Sequence, residues 1–301
     1  MVSIVVTTFN YAHYLEETLG SVRDQIFQNW ECIVVDGGST DNTKELMNRI
    51  VSGDRRFSYI FRGNMGVSAS RNTGIKISRG EFIQFLDGDD LLQKNKISSQ
   101  LNAFNKKPDA DIVYSDVRFF DDGKPNILRS SLKGNKPDDW LPKISGRGEV
   151  VLTYLKKFNF LVTHSPLIRR SVIDSVRLFD ENMQALEDWD FWLRCTENNF
   201  YFHFHSEANG LAIVRVHTGS LSGKRELMLN GNFALLQKRI SEKSKFKYSL
   251  YYLFKFIELY WDTLFSSFRQ PKISVGLTLF SILFFPLWIL IKIARMLKVI
   301  G

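Results

Sequence analysis

The sequence predicts an α/β fold, a mainly parallel sheet flanked by helices, followed by a C-terminal apolar helical region for membrane association. Three observations carry this. Short β-rich runs alternate with segments of helical period from residue 2 to residue 116. Acidic residues stand at the ends of three of those runs: Asp36, then Asp87, Asp89 and Asp90, then Asp116. Residues 221–301 combine basic residues with long aromatic and aliphatic stretches.

Residues 2–8 (VSIVVTT) form a first strand. Residues 14–25 place Leu15, Leu19 and Val22 at spacings of four and three, one face of a helix. Residues 30–35 are a second strand, and the turn from Asp36 to Asp41 comes directly after it. Asn42 with Glu45 three residues on reads as a cap pair opening a helix over 43–51. Residues 57–62 form a strand, 66–78 a helix, 81–86 a strand, 94–105 a helix and 111–116 a fifth strand. Residues 121–148 are polar and rich in Lys, Gly and Pro, which reads as a long connection. Order resumes over 150–157 and 161–168, with a helix over 187–198 and strands over 200–205 and 211–217. There is no internal repeat.

A chain of 301 residues with 44% hydrophobic content can build one large α/β domain or two small ones. Two cysteines exclude a disulfide scaffold and fit a reducing compartment. Cys32 lies in the apolar run 30–35 and is expected to be a buried thiol. The chain opens directly on a strand-like run, so no signal peptide is expected. The net charge of +8 is uneven: residues 221–301 hold 13 Lys/Arg and 4 Asp/Glu, the remainder 27 and 28. The basic character therefore belongs to the tail, where an anionic membrane surface or nucleic acid would account for it.

The tail's apolar content decides between them. Residues 247–269 carry polar groups at 247, 255, 258, 262 and 269 on one helical stripe, with Tyr, Phe, Leu and Trp elsewhere. Residues 273–291 contain no formal charge over a length near that of a bilayer span, and Pro286 would kink them. Basic residues flank both ends (Arg269 and Lys272, then Lys292, Arg295 and Lys298), so charge gives no inside/outside asymmetry. A span, a dipping helix and an in-plane helix all remain open, as does a buried core or oligomer helix. A nucleic-acid tail does not fit.

Ligands of open parallel sheets bind beyond the carboxyl ends of the strands. Carboxylates gathered there repel one another unless a cation joins them. Asp-x-Asp is a weak pattern, since composition alone supplies about one copy in such a chain. It occurs at Asp87/Asp89, Asp109/Asp111 and Asp188/Asp190. Only the first comes after a five-residue apolar strand (FIQFL) and is itself followed by a third carboxylate, Asp90. Hard oxygen ligands suit Mg²⁺ or Mn²⁺ where phosphates complete the shell. The plainer reading is a surface loop capping the next helix. Likewise Asp36-Gly37-Gly38-Ser39-Thr40-Asp41 is either a ligand loop, its glycines admitting close backbone approach, or a simple strand–helix turn.

Together these segments resemble an inverting family 2 glycosyltransferase of the GT-A fold. The resemblance rests on SIVVTTFN at 3–10, VVDGGSTD at 34–41, and Asn64-Met65-Gly66 with Ala69-Ser70-Arg71-Asn72. It continues through Gly80-Glu81-Phe82, FLDGDD at 85–90, Phe179-Asp180-Glu181, EDWDFWLR at 187–194 and Arg215-Val216-His217. The order and spacing hold across residues 1–220. The resemblance implies that Thr8 and Phe9 line the nucleotide pocket, Asp36 binds the base, and Arg71 lies near the phosphates. It implies Asp89 as the main metal ligand, with Asp87 facing the ribose or sugar. Asp188, beside Glu187, would be the general base, and His217 would help hold the metal or diphosphate. Amide dipoles at a helix start would keep Asp188 ionised. His217 as a satisfied strand-end histidine stays open, and His164, His203 and His205 are read as structural. Thr-Thr-Phe-Asn stands where relatives usually carry Thr-Pro-Tyr-Asn, which loosens any inference about the base.

The resemblance and the tail together imply a catalytic domain over 1–220 and a membrane-associating tail over 221–301. The donor would be a nucleoside-diphosphate sugar, expected to be UDP-linked. The acceptor would be lipid-linked or a cell-surface polysaccharide, with the enzyme at the cytoplasmic face of the inner membrane and oligomers allowed through the C-terminal helices. A Rossmann dehydrogenase and a sugar-phosphate nucleotidyltransferase would each need a glycine-rich turn after strand one, and that turn has no glycine. A non-catalytic sugar-nucleotide-binding or scaffold protein is the remaining alternative, in which the Glu187-Asp188 pair would be dispensable.

Overall fold

The computed structural model describes residues 1–63, 66–131, 141–241, 251–253 and 255–260. The chain divides into two units, Met1–Gly231 and Asn232–Gly301. The boundary between them falls within helix α8 (Arg225–Ser241), later in the chain than the change of composition at residue 221.

The first unit is built on a sheet of order β3-β2-β1-β4-β8-β6-β9. Its strands are β1 (Val2–Thr8), β2 (Trp30–Asp36), β3 (Phe57–Phe61), β4 (Phe82–Asp87), β6 (Ile112–Tyr114), β8 (Leu167–Arg169) and β9 (Phe202–Phe204). β1, β2, β3 and β4 are mutually parallel, and β8 runs antiparallel to both β4 and β6. All seven residues of β1 and of β2 are buried, as continuous apolar runs covered on both faces should be. The helices are α1 (Ala12–Arg23), α2 (Thr43–Gly53), α3 (Gly66–Ile77), α4 (Lys96–Lys106), α5 (Glu149–Leu155), α6 (Arg170–Val176) and α7 (Glu187–Glu197). Leu15, Leu19 and Val22 of α1 are fully buried, on the face the sequence predicts. Cys32 and Cys195 are buried free thiols.

A second, three-stranded sheet of order β5-β10-β7 joins β5 (Leu91–Leu92), β7 (Val117–Asp121) and β10 (Ala212–Val216). β7 and β10 are parallel although far apart in sequence. This brings the segment after β4 and the end of β10 together.

Three local expectations change. The opening of α2 is capped by Asp41, not Asn42: Asp41 Oδ1 accepts from the Thr43 amide (3.1 Å) and hydroxyl (2.6 Å), and Asn42 makes no side-chain cap bond. The connection 121–148 is paired in part, since Arg129 exchanges backbone bonds with Phe119 and Gly146 with Phe202. The fifth strand is shorter than predicted and stops at Tyr114, where the chain turns to enter the second sheet.

In the second unit, residues 251–253 and 255–260 are helical. Tyr252, Leu253 and Phe256 pack with Ile240 in an apolar cluster, while Lys255 and Glu258 pair outward. In the described part of 247–269, Tyr252, Leu253 and Phe256 thus pack against Ile240 at the end of α8. Among the described residues no helix is long and apolar enough to cross a membrane. Residues 273–291, where a membrane segment is expected, lie outside the described residues.

Candidate active site

β1 sits between two acidic strand ends. In register, Thr7 lies opposite Asp87 and Thr8 opposite Asp36. Asp36 is fully buried. Its Oδ1 accepts the Gly38 and Ser39 amides (3.0 and 2.7 Å) and its Oδ2 the Tyr59 hydroxyl (2.7 Å). Asn10 Oδ1 accepts the Thr40 amide, and the Asn10 amide donates to Ser39 Oγ, both at 2.8 Å. The loops after β1 and β2 are thereby joined, with Phe9 exposed at the rim. Thr8 is buried and its Oγ1 has no hydrogen-bond partner among the described residues. The loop after β4 lies directly on it. A Cβ on Gly88 would stand 2.9 Å from Thr8 Cβ and Oγ1, so only glycine permits this approach.

That loop carries the first Asp-x-Asp. Asp87 Oδ1 accepts from Thr7 Oγ1 (2.8 Å) and Arg71 Nη2 (3.0 Å), and its Oδ2 faces His164 Nε2 (3.0 Å). His164 Nδ1 lies 3.2 Å from Asp90 Oδ2, and the Arg215 amide donates to Asp90 Oδ1 (2.7 Å). Arg215 Nε donates to the Asp89 carbonyl (2.9 Å), and its guanidinium lies over the Tyr14 ring. β10 therefore fastens the loop from one side and His164 from the other. Asp89 Oδ2 faces His217 Nε2 at 2.8 Å, and Tyr11 lies edge-on to that imidazole.

The three carboxylates are tuned apart. Burial opposes the charge of Asp87, yet Arg71 and His164 hold it well below the usual carboxylate range. Burial and the Asp87 charge push Asp89 up against the pull of His217. Burial, with Asp89 and Asp87, pushes Asp90 well above its ordinary value although His164 opposes this. Burial also works against a charge on His164, but Asp90 and Asp87 outweigh it and raise the imidazole to about 9.

Arg71 connects this loop to the start of α7. It is buried, and its Nη1 donates to Glu187 while Nη2 binds Asp87. Its neighbour Asn72 exchanges bonds with the Phe179 backbone and Glu181 (2.8–2.9 Å). Motifs over a hundred residues apart therefore meet here. The sequence resemblance puts Arg71 near the phosphates; in the structure both ends of its guanidinium fork are committed to carboxylates. Asp188 Oδ2 accepts from Asn159 Nδ2 (3.0 Å) and Thr163 Oγ1 (3.1 Å), and its Oδ1 from the Trp189 amide (2.7 Å). Burial and the neighbouring Glu187 raise Asp188 to about 6. The amide bond at the helix start pulls the other way, as expected of a helix N-terminus, but burial wins. Leu186, just before the pair, is held at φ 61°, a strain of about 1–3 kcal/mol for a residue with a side chain.

Apart from Asp188, the carboxylates of the other two Asp-x-Asp copies make structural contacts. Asp109 is exposed and pairs with Lys107, and Asp111 accepts the Tyr201 amide. Asp190 is buried with Arg194, whose guanidinium caps carbonyls 176–178.

A divalent cation fits one part of the loop better than the other. Asp87, Asp90 and His164 form a compact donor set, but Thr7, Arg71, Arg215 and the imidazole itself already engage it. The Asp89 carboxylate and His217 Nε2 face one another 2.8 Å apart, and among the described residues no lysine or arginine bonds to either side-chain group. The 2.8 Å separation is that of a direct hydrogen bond between the two side chains, whose carboxylate oxygen and imidazole nitrogen are also donor types that divalent cations accept.

Sequence reasoning missed His164, Asn159, Thr163 and Arg215's role as a fastener. His164 carries no motif, but it stands in the polar triplet Thr163-His164-Ser165 inside the apolar run 160–168. A polar triplet in a buried run must find partners, and that was the available signal.

Residues 3–177 match the family Glycosyl transferase family 2, a match that ends before Glu187, Asp188 and His217. Among curated relatives, an uncharacterized glycosyltransferase of Methanocaldococcus jannaschii is 28% identical over 69% of this chain and 68% of its own length. One of Haemophilus influenzae is 29% identical over 84% and 93%. One of Rickettsia felis is 32% identical over 64% of this chain, and there the match spans only 31% of the relative. Among solved structures, S. aureus TarS 1-349 in complex with UDP-GlcNAc has a TM-score of 0.65 at 17% identity, over 91% of this chain and 76% of that one. The mannosyltransferase PcManGT of Pyrobaculum calidifontis, in complex with GDP-Man and Mn²⁺, has a TM-score of 0.60 at 15% identity, over 98% and 84%. At these identities the structures speak for the fold alone.

Proposed function

The chain belongs to glycosyl transferase family 2 and is a glycosyltransferase, and on that premise we propose an inverting transfer with Asp188 as general base. The observation that carries this is the pairing of Asp188 with the acidic loop through Glu187, Arg71 and Asp87. A carboxylate raised to about 6 stands at one end of that chain of contacts, and Asp89, which meets His217, belongs to the loop at the other.

The chemistry is one displacement. The acceptor hydroxyl oxygen bonds to the anomeric carbon as the bond from that carbon to the diphosphate oxygen breaks. The hydroxyl proton passes to Asp188, and the electron pair leaves with the nucleoside diphosphate. Asn159 and Thr163 both donate to Asp188 Oδ2, which orients the carboxylate and leaves lone pairs for that proton. Mg²⁺ or Mn²⁺, held by Asp89 and His217, would supply positive charge to the departing diphosphate. Arg71 bonds both Asp87 and Glu187 and holds Asp87 ionised, and Asp36 shapes the loop against which a nucleoside would lie.

The donor proposed is a nucleoside-diphosphate sugar, UDP-linked by analogy with the UDP-GlcNAc complex of the structural neighbour. The acceptor proposed is lipid-linked or a cell-surface polysaccharide, at the cytoplasmic face of a membrane. The support for this is the basic tail and the uncharged stretch 273–291. A screen of sugar nucleotides with Mn²⁺ or Mg²⁺, read by released nucleotide and by binding, tests the reading. Turnover of at least one donor is expected. Failure of every donor both to react and to bind would overturn it.

A further inference from the structure

Beneath the site lies a lysine that the mechanism does not use. Lys96, at the start of α4, is fully buried, and its Nζ meets three oxygens: Gln84 Oε1 (3.2 Å), Gln100 Oε1 and the Ser165 carbonyl (2.7 Å). None of the three belongs to a carboxylate. Three acceptors match the three protons of an ammonium, whereas a neutral amine could satisfy only two. Burial pushes the Lys96 pKa well below the usual lysine range. Such a group is costly to keep in a core unless it orders something.

What it orders is the segment 163–165. Gln84 Nε2 donates to the His164 carbonyl (2.8 Å) and Gln100 Nε2 to the Ser165 carbonyl (2.8 Å). Both amide nitrogens face carbonyl oxygens, so the amide oxygens must face Lys96 and the network has one consistent orientation. Ser165 Oγ is tied in turn to both backbone groups of Ser115. The segment is irregular backbone in the interior, which survives only with its polar groups paired. Its side chains point to both halves of the site: Thr163 to Asp188, His164 to Asp87 and Asp90.

We propose that Lys96, with Gln84 and Gln100, is a positioning residue that sets the base and the acidic loop in common register through the segment 163–165. This deepens the transfer reading and rests on it for its catalytic consequence. No contact of Lys96 itself with substrate is involved.

The experiment replaces Lys96 by Met, which keeps the aliphatic stem and removes the three donors, with Gln100→Met as the second variant should the first not fold. Met47→Ala, on the buried face of α2, is the control for equal loss of melting temperature. Two quantities are read: kcat and donor KM of the folded enzyme, and the His164 ring resonances in ¹⁵N-histidine spectra, which need no substrate. A displaced His164 signal and a kcat lowered about tenfold or more, with donor KM within about threefold, are expected of the Lys96 or Gln100 variant and not of the control. A His164 signal as unmoved as in the control, or a kcat matching the control, overturns the proposal. Should the wild type turn over no donor, the transfer reading fails by itself, and the His164 signal alone decides whether Lys96 positions the segment.

Discussion

Two Asp-x-Asp stretches face each other across Arg71, and they have opposite electrostatic fates. In the loop after β4, Asp87 receives a guanidinium, an imidazole and a hydroxyl, and is held strongly ionised despite burial. At the start of α7, Asp188 receives two neutral side-chain donors and one amide, sits beside Glu187, and rises to about 6. The same residue type is therefore a fixed charge at one end and a proton acceptor near neutrality at the other. Environments that push two carboxylates apart are what assign acid–base roles. In the third copy Asp109 is exposed and pairs with Lys107 and Arg147, while Asp111 accepts the Tyr201 amide.

The largest effect that would test this contrast is Asp188→Asn. Removing a general base typically costs about 10²–10⁴ in rate, and kcat for transfer should fall by that much with donor affinity kept. Steady-state kinetics with nucleotide binding by calorimetry would check it. An unchanged kcat would make the α7 stretch structural after all. Next comes Arg71→Met, which leaves Asp87 and Glu187 without their shared cation. Breaking a buried pair from one side costs about 3–5 kcal/mol, and a denaturant titration should show a loss of that size.

The raised Asp188 also sets a pH dependence. Transfer needs the ionised base, so kcat should drop about tenfold per pH unit below about 6 and level off above it. The smallest effect concerns stability. The folded protein holds a proton on Asp188 up to about pH 6, while an unfolded carboxylate gives it up at about 3.9. Ionisation therefore costs stability, a cost that grows between those values and persists above them. Asp188→Asn removes it and should melt higher at pH 8, by an amount on the order of 5 °C, and no higher at pH 4.

Much of this contrast was legible in the residues. The alternation of runs located β1 to β4, and the strand ahead of Asp87 singled out one Asp-x-Asp from three. The position of Asp188 in EDWDFWLR was readable, but its ionisation was not. A helix start argues for a low pKa, and only packing reveals that burial and Glu187 outweigh it. The second sheet was hidden because β7 and β10 pair across about a hundred residues of chain. His164 was hidden for a similar reason: its partners, Asp87 and Asp90, come from another strand end. The boundary between the two units falls inside α8, after the change in composition at residue 221.

The most direct test separates the two stretches by what each holds. Mn²⁺ is titrated and its free fraction read by electron paramagnetic resonance, with nucleoside diphosphate present, for Asp89→Asn and Asp188→Asn. Mn²⁺ affinity should weaken about tenfold or more in Asp89→Asn and stay within about twofold of wild type in Asp188→Asn. Loss of Mn²⁺ affinity in Asp188→Asn, with Asp89→Asn unaffected, would reverse the roles given to the two stretches.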